Sequence, residues 1–210
     1  MKKKRLKLKE KRKHLLEEFT KKNIHEAVLE LIGENGVEAL TVNKVAQRAG
    51  IAKGTVYLHF KDKDELICSS IDSSLAPLFN GLMDILDSDL DPVEKLKKYA
   101  FFSTDFFDHY RNTFRALMYN QHQAHIHKKR HMDSNYEAFI EKLANVFQDG
   151  IDSGMFRPID TQIAATTFAN SNISITIQYI IHDTQRDLKN DVNNLFDIIL
   201  NGILSNQSHT

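Results

Sequence analysis

Gly36–Leu66 reads GVEALTVNKVAQRAGIAKGTVYLHFKDKDEL. Thr41 can cap a short helix holding Val42, Val45, Ala46 and Ala49, because its hydroxyl accepts from the free amides of the first turn. Gly50 breaks that helix, and a second short helix follows at once over about Lys53–Phe60. Helices joined by turns this short suit a helix-turn-helix. Val56 and Phe60 are four residues apart and should pack inward, which leaves Lys53, Thr55, Tyr57 and His59 on the freer side. Asp62, with Glu65 three residues on, makes a capping-box-like start for the next helix. A helix that reads duplex DNA needs a small residue where its backbone approaches, long donors for base edges and polar groups for phosphates. Lys53, Gly54, Thr55, Tyr57 and His59 supply these types. Lys53 can donate to guanine O6 or N7, and Tyr57, His59 and Lys63 lie within reach of flanking phosphates. The plainer readings are a half-buried core ring for Tyr57 and a packing or capping role for His59.

At these residues the stretch resembles the DNA-binding domain of the tetracycline-repressor (TetR) family. The shared pattern is a Gly, a Thr-capped helix, Ala-x-x-Ala-Gly, a Lys-Gly-Thr-x-Tyr-x-His-Phe run and a later Lys. Here those are Gly36, Thr41, Ala46, Ala49, Gly50, Lys53, Gly54, Thr55, Tyr57, His59, Phe60 and Lys63. The resemblance implies that Lys53 and Gly54 approach bases while Thr41, Thr55, Tyr57, His59 and Lys63 mainly contact phosphates. The family usually places a serine where this chain has Ala52, so the cap of the reading helix is missing; such a loss typically costs ~0.5–2 kcal/mol.

On the N-terminal side, a helix is expected from about Leu15 to Asn35, with Phe19, Ile24, Ala27, Val28, Leu31 and Ile32 as its apolar stripe and Gly36 ending it. Residues 1–13 carry nine Lys and Arg and one acid, Glu10, and read as a mobile basic arm that either adds DNA contacts or serves as a solubility tail. Residues 1–65 hold 16 Lys and Arg against 10 Asp and Glu, the remainder 12 against 18, so a formal net charge of zero divides into +6 in front and −6 behind. Such asymmetry points to an N-terminal surface that meets a polyanion. The expected division is a basic arm at 1–13, a DNA-binding domain at 14–62 and a helical effector-binding and dimerisation domain at 63–210.

Beyond Leu66, apolar residues recur at three- and four-residue spacing, and only 8 Gly and 3 Pro interrupt the 210 residues, which predicts an all-α chain of about nine helices. The fourth should kink or stop at Pro77. Asp91, Pro92 and Glu94 mark a helix start, and further helices are expected at about 93–109, 111–126, 133–153, 160–182 and 187–205, with Gly150, Gly154 and Pro158 in the gap before the penultimate one. The last two helices are apolar enough to close a four-helix bundle between two copies, with Ile173, Ile177, Ile180, Leu195, Phe196, Ile199 and Ile203 as interface candidates. A homodimer is expected because one helix-turn-helix reads too few base pairs alone. Aromatics cluster earlier, and Phe102, Phe106, Phe114, Met118, His122 and Tyr136 are candidates to line a cavity for an apolar or aromatic effector, although phenylalanine at helical spacing is more often plain core.

His122, His125, His127 and His131 crowd one short segment, and the four-residue spacing of His127 and His131 can present two imidazoles to a metal. Lys128, Lys129 and Arg130 oppose a cation there, so the reading is a solvated cationic helix end and no metal site. The lone Cys68 suits a reducing, cytoplasmic setting, and no apolar run of membrane-spanning length occurs. No nucleophile elbow, P-loop, dinucleotide fingerprint or zinc-protease motif appears, so neither an enzyme nor a cofactor is expected. The expected function is that of a transcriptional repressor released from a palindromic operator on double-stranded DNA by a small-molecule effector, through a shift of the fourth helix. The alternative is a ligand-independent architectural or nucleoid-associated DNA-binding protein.

Overall fold

The computed structural model describes residues 2–119, 132–182 and 186–203, with side chains placed for 9–116, 136–182 and 186–203. All regular structure among them is helical: α1 (Lys2–Asn35), α2 (Val42–Arg48), α3 (Lys53–Tyr57), α4 (Lys63–Leu86), α5 (Pro92–His109), α6 (Arg111–Tyr119), α7 (Met132–Asp152), α8 (Thr161–His182) and α9 (Leu188–Ile203). The all-α expectation and the count of about nine helices hold for the described residues. The chain divides into two compact units, one built on Met1–Ala76, the other on Pro77–Phe114 and the C-terminal helices.

The first unit packs Ile24, Val28, Leu31 and Ile32 of α1 around Val45 and Ala46 of α2, Val56 of α3, Phe60 and the first turns of α4, all nearly inaccessible to water. Gly36 ends α1 with φ 76° and returns its amide to the Ile32 carbonyl at 2.9 Å, a left-handed cap that glycine adopts without a Cβ penalty. Two expectations are corrected here. The helix begins at Lys2 rather than near Leu15, so the basic stretch read as an arm is the start of α1. Phe19, placed in the buried stripe, is 62% exposed, because burial in α1 starts only at Ile24.

Pro77 neither stops nor interrupts α4, which continues to Leu86. The proline lies on the exposed side, where water can take the carbonyl that loses its amide donor. Asp62 accepts from the Glu65 amide at 2.8 Å, while Glu65 Oε2 accepts from the Lys61 amide at 2.7 Å, one residue earlier than a standard capping box. Asp91 caps α5 as expected, accepting from the Glu94 amide at 2.9 Å with Pro92 in the first turn.

The second unit is held by α5, α7, α8 and α9. Tyr99 packs against Phe139 and Phe168, and Phe147 against Phe156 and Phe168. A buried polar seam joins α5 to α8: Ser103 donates to Asn172 Oδ1 at 2.6 Å, Asn172 donates to the Ala100 carbonyl at 3.3 Å, and the Thr104 and Thr176 hydroxyls lie 3.4 Å apart. Each polar group in that seam finds a partner, which is what makes its burial tolerable. Gly150 sits inside α7 rather than in the gap after it. Gly154 ends the turn with φ 76°, and Arg157 donates from its backbone and its Nε to the Ile203 and Gly202 carbonyls at 2.7 Å each, satisfying the C-terminal end of α9.

Candidate nucleic-acid interface

The turn between α2 and α3 sets the geometry of the reading face. Thr41 is extended (φ −131°, ψ 150°), and its hydroxyl oxygen accepts from the Lys44 amide at 3.3 Å, leaving its own proton free for an outside acceptor. At the other end Gly50 takes φ 68°, and the Ile51 amide returns to the Ala46 carbonyl at 3.0 Å. A Cβ at Gly50 would meet nothing within 4 Å, so glycine is favoured there by backbone conformation alone. Arg48 fixes the rear of α2 to α1 through a two-bond grip on Glu34 (2.8 and 2.9 Å) and one bond to Glu30 (3.0 Å). That contact holds the Glu34 carboxyl below its ordinary pKa, first through the hydrogen bond from Arg48.

On α3 the predicted division of faces is present. Val56 and, just past the helix, Phe60 are buried, while Lys53 and Gly54 are exposed and Tyr57 is 50% exposed. Gly54 has open space where a Cβ would stand. The Lys53 ammonium lies 5.9 Å from the centre of the Tyr57 ring, so the two long side chains share one face. Thr55 and His59 are half-buried, and the His59 ring is tilted against Phe60 with centroids 6.3 Å apart. Ala52 starts the helix with no side-chain cap, as its residue type dictates. Lys63 is half-buried and donates one of its three N–H groups to the Val37 carbonyl at 3.3 Å, so two remain available. Leu58, passed over at the level of sequence, is 82% exposed beside Tyr57; an apolar side chain in that position can meet a thymine methyl. Beneath the face, His25 packs on Phe60 with ring centroids 5.5 Å apart and lies 3.3 Å from the Ser69 hydroxyl. Burial, and then the charge of Lys21, hold its imidazole below the ordinary pKa.

The effector candidates do not form one set. Phe106 and Phe114 both contact Phe107, and Phe106 also meets Tyr110. Phe102 lies apart with its ring over Gly81, where a Cβ would approach it to 2.3 Å. Tyr99 is pushed upward in pKa by burial and then by the charge of Tyr136. The Tyr99, Phe139, Phe168 and Phe79 cluster was not singled out in sequence, because Tyr99 and Phe168 look like any apolar helical positions. The side chains of Met118 and His122, and the histidine segment 122–131 with its metal reading, lie outside the described residues. Among those described, no group of three or more His, Cys, Asp or Glu is placed to hold a metal.

Of the interface candidates, Ile180, Phe196 and Ile203 are buried within the chain's own core. Ile177, Leu195 and Ile199 are half-buried and Ile173 is exposed, and Ile198, missed earlier, is 70% exposed. Leu195 and Ile198 line an open groove with Ile175, Tyr179, His182 and Asn194. The helical period explains the split: one face of α8 and of α9 packs on the core, and an apolar composition alone does not say which residues of a broad apolar stripe lie on it.

An all-helical chain whose capped α2, tight turn and cation-bearing α3 present this face is a helix-turn-helix regulator of transcription that binds DNA. The comparisons with known proteins agree. The model of bacterial regulatory proteins of the tetR family matches residues 24–68. The chain is 23% identical over 186 residues to the fatty acid metabolism regulator protein of Bacillus subtilis (strain 168), covering 86% of this chain and 93% of that one. It is 30% identical over 139 residues to the HTH-type transcriptional repressor KstR2 of Mycolicibacterium smegmatis, covering 61% and 63%. FadR from Bacillus subtilis, solved in complex with stearoyl-CoA, has the same fold with a TM-score of 0.72 at 22% identity, over 86% of this chain and 98% of that one. Residues 24–68 thus match the DNA-binding segment of tetR-family regulators. No helix among the described residues is long and apolar enough to cross a membrane.

Proposed function

We propose that this protein is a homodimeric repressor that reads a palindromic operator with α3 and is released from it by an apolar effector, with a long-chain fatty acyl thioester as the effector class. The observation that carries the DNA-reading part is the exposed Lys53, Gly54 and Tyr57 face, anchored from behind by buried Val56 and Phe60. The Lys53 amine supplies base-edge donors, Gly54 allows close approach of the backbone, and Thr41, Thr55, Tyr57, His59 and Lys63 supply phosphate contacts. The part of the α8 and α9 face with exposed Ile173 and Ile198 and half-buried Leu195 suits pairing with a second copy. Two copies place their reading helices on half-sites one helical turn, about 34–36 Å, apart.

The effector class is supported by the relatives, which include a fatty acid metabolism regulator and a FadR structure holding stearoyl-CoA. The aromatic and apolar interior of the second unit provides the matching solvent for a hydrocarbon chain. The helix α4 has residues in both units and is the element through which effector binding would reach α3. A coupling of ~1–3 kcal/mol lowers operator affinity five- to 150-fold.

The test is selection of duplexes from a random pool by the wild-type chain and by Lys53→Ala/Tyr57→Ala, followed by titration of stearoyl-CoA into the selected complex. The reading predicts a palindrome enriched by the wild type alone and released by stearoyl-CoA. Enrichment that ignores the two substitutions would remove α3 as the reader. Release by a steroid but not by the acyl thioester would keep the repressor and replace the effector class. Sedimentation of Ile198→Glu as a monomer would support the pairing face, and an unchanged dimer would exclude it.

A further inference from the structure

We propose that the N-terminal part of α1, from Lys2 to Asn23, is a helical extension that lies on the phosphate backbone of the DNA flanking the half-site read by α3. This rests on the DNA-reading role of α3 and adds a second, sequence-independent contact to it.

Every residue from Lys9 to Phe19 is exposed, and among the described side chains Ile24 is the first one buried. At 1.5 Å per residue, the stretch ahead of Ile24 is about 33 Å long, close to one turn of duplex DNA. Its first thirteen residues carry nine cations and the single acid Glu10. The sequence places like charges one turn apart at Lys3 and Lys7, Arg5 and Lys9, Lys7 and Lys11, and Lys9 and Lys13, an arrangement that opposes a helix standing alone in water. Past Glu10, ion pairs within the helix among the described side chains begin with Glu17, which meets Lys13 at 3.7 Å, and Glu18, which meets His14 at 3.4 Å. Among the described residues no carboxylate lies within ion-pair distance of Lys9, Lys11 or Arg12.

A polyanion is therefore the partner that fits. Duplex DNA is already bound by the same unit, and neutralising its phosphates releases condensed counterions, which is the dominant gain from a charge array of this kind. A second copy of the extension carries the same charge and repels it. An anionic bilayer would explain exposed Leu15, Leu16 and Phe19, but those residues lie beyond the cationic run, which itself holds only Leu6 and Leu8 as apolar residues after Met1 and so has no continuous apolar face to insert.

The experiment compares the full-length chain with a variant in which Lys2, Lys3, Lys4, Arg5, Lys7, Lys9, Lys11, Arg12 and Lys13 are all changed to Gln, a good helix former. Both are titrated at several salt concentrations with the palindromic duplex selected by the wild type, once trimmed to that palindrome and once with about one helical turn added on each side. The wild type should bind the longer duplex at least tenfold more tightly, with a log K against log salt slope steeper by several units, at ~0.9 per phosphate. The Gln variant should bind both duplexes alike, at the wild type's affinity for the trimmed one. Equal slopes for the two proteins, or a flank effect that survives neutralisation, would overturn the proposal. A variant with unchanged circular dichroism that no longer binds the trimmed palindrome would move these cations into the half-site and overturn the flanking assignment. Binding of phosphatidylserine vesicles by the wild type only, with no flank effect on DNA, would reassign the surface to membranes. Failure of the wild type to select any duplex would instead refute the role of α3, and with it this extension of that role.

Discussion

The ammonium of Lys53 and the ring of Tyr57, 5.9 Å apart and four residues apart on α3, share the one face of that helix that Val56 and Phe60 do not anchor to the core. The ring limits where the long lysine side chain can go and so reduces what must be frozen when it meets a base edge. Lys53→Ala should weaken binding to the selected palindrome by ~1–3 kcal/mol and relax preference at one base pair in each half-site. Fluorescence anisotropy with single-base operator variants measures both effects; a uniform loss at every position would make Lys53 a phosphate contact.

Gly54 separates contact with DNA from folding. A Cβ there meets nothing within the chain, and alanine is the better helix former by ~1 kcal/mol. Gly54→Ala should therefore leave the urea midpoint unchanged or raised while lowering operator affinity. Undiminished affinity would mean that the backbone does not approach the duplex at this residue.

Ala52 leaves the first turn of α3 without a side-chain acceptor. Ala52→Ser should restore the cap and stabilise the chain by ~0.5–2 kcal/mol, read as a higher melting temperature. Operator affinity should rise with it if order in the short α3 limits binding.

Phe156 rests on Gly150 so closely that a Cβ at residue 150 would stand 2.1 Å from its ring. Gly150→Ala should displace that buried ring and cost ~1–3 kcal/mol in chemical denaturation. Gly150→Ala/Phe156→Leu should recover part of the loss, since the clash is with the ring.

His25 supplies a pH dependence. Its folded pKa is lowered by burial and then by Lys21, so below the ordinary histidine pKa of about 6.5 the unfolded chain binds the proton more readily than the folded one. The stability gained from the neutral imidazole is complete above that pH and is lost as pH falls towards the folded value. His25→Gln should flatten the fall in urea midpoint between about pH 7 and pH 5 relative to the wild type. Parallel profiles would show that protonation at His25 is not the source.

Much of the first unit was legible in sequence because its signals are local. Thr41, Gly50 and Asp62 act within one helical turn of themselves, and the four-residue spacing of Val56 and Phe60 fixes which side of α3 faces out. Pro77 does not stop α4, one of its two expected effects, because the cost of a proline depends on whether water can reach the orphaned carbonyl, which is a matter of exposure and not of residue type. The same holds for Phe19, apolar and in phase with the core of α1 but beyond the point where the other helices end.

Sequence by itself determined the helical class and the helix-turn-helix, since capping, periodicity and turn chemistry are short-range. Only the tertiary structure decided that Ile180, Phe196 and Ile203 belong to the chain's own core while Ile198 faces out. It alone separated Phe102 from the Phe106, Phe107 and Phe114 cluster and packed Tyr99 against Phe139 and Phe168. Which apolar side chains meet is set by how helices distant in sequence pack, and an amphipathic stripe does not record the identity of the surface that will cover it.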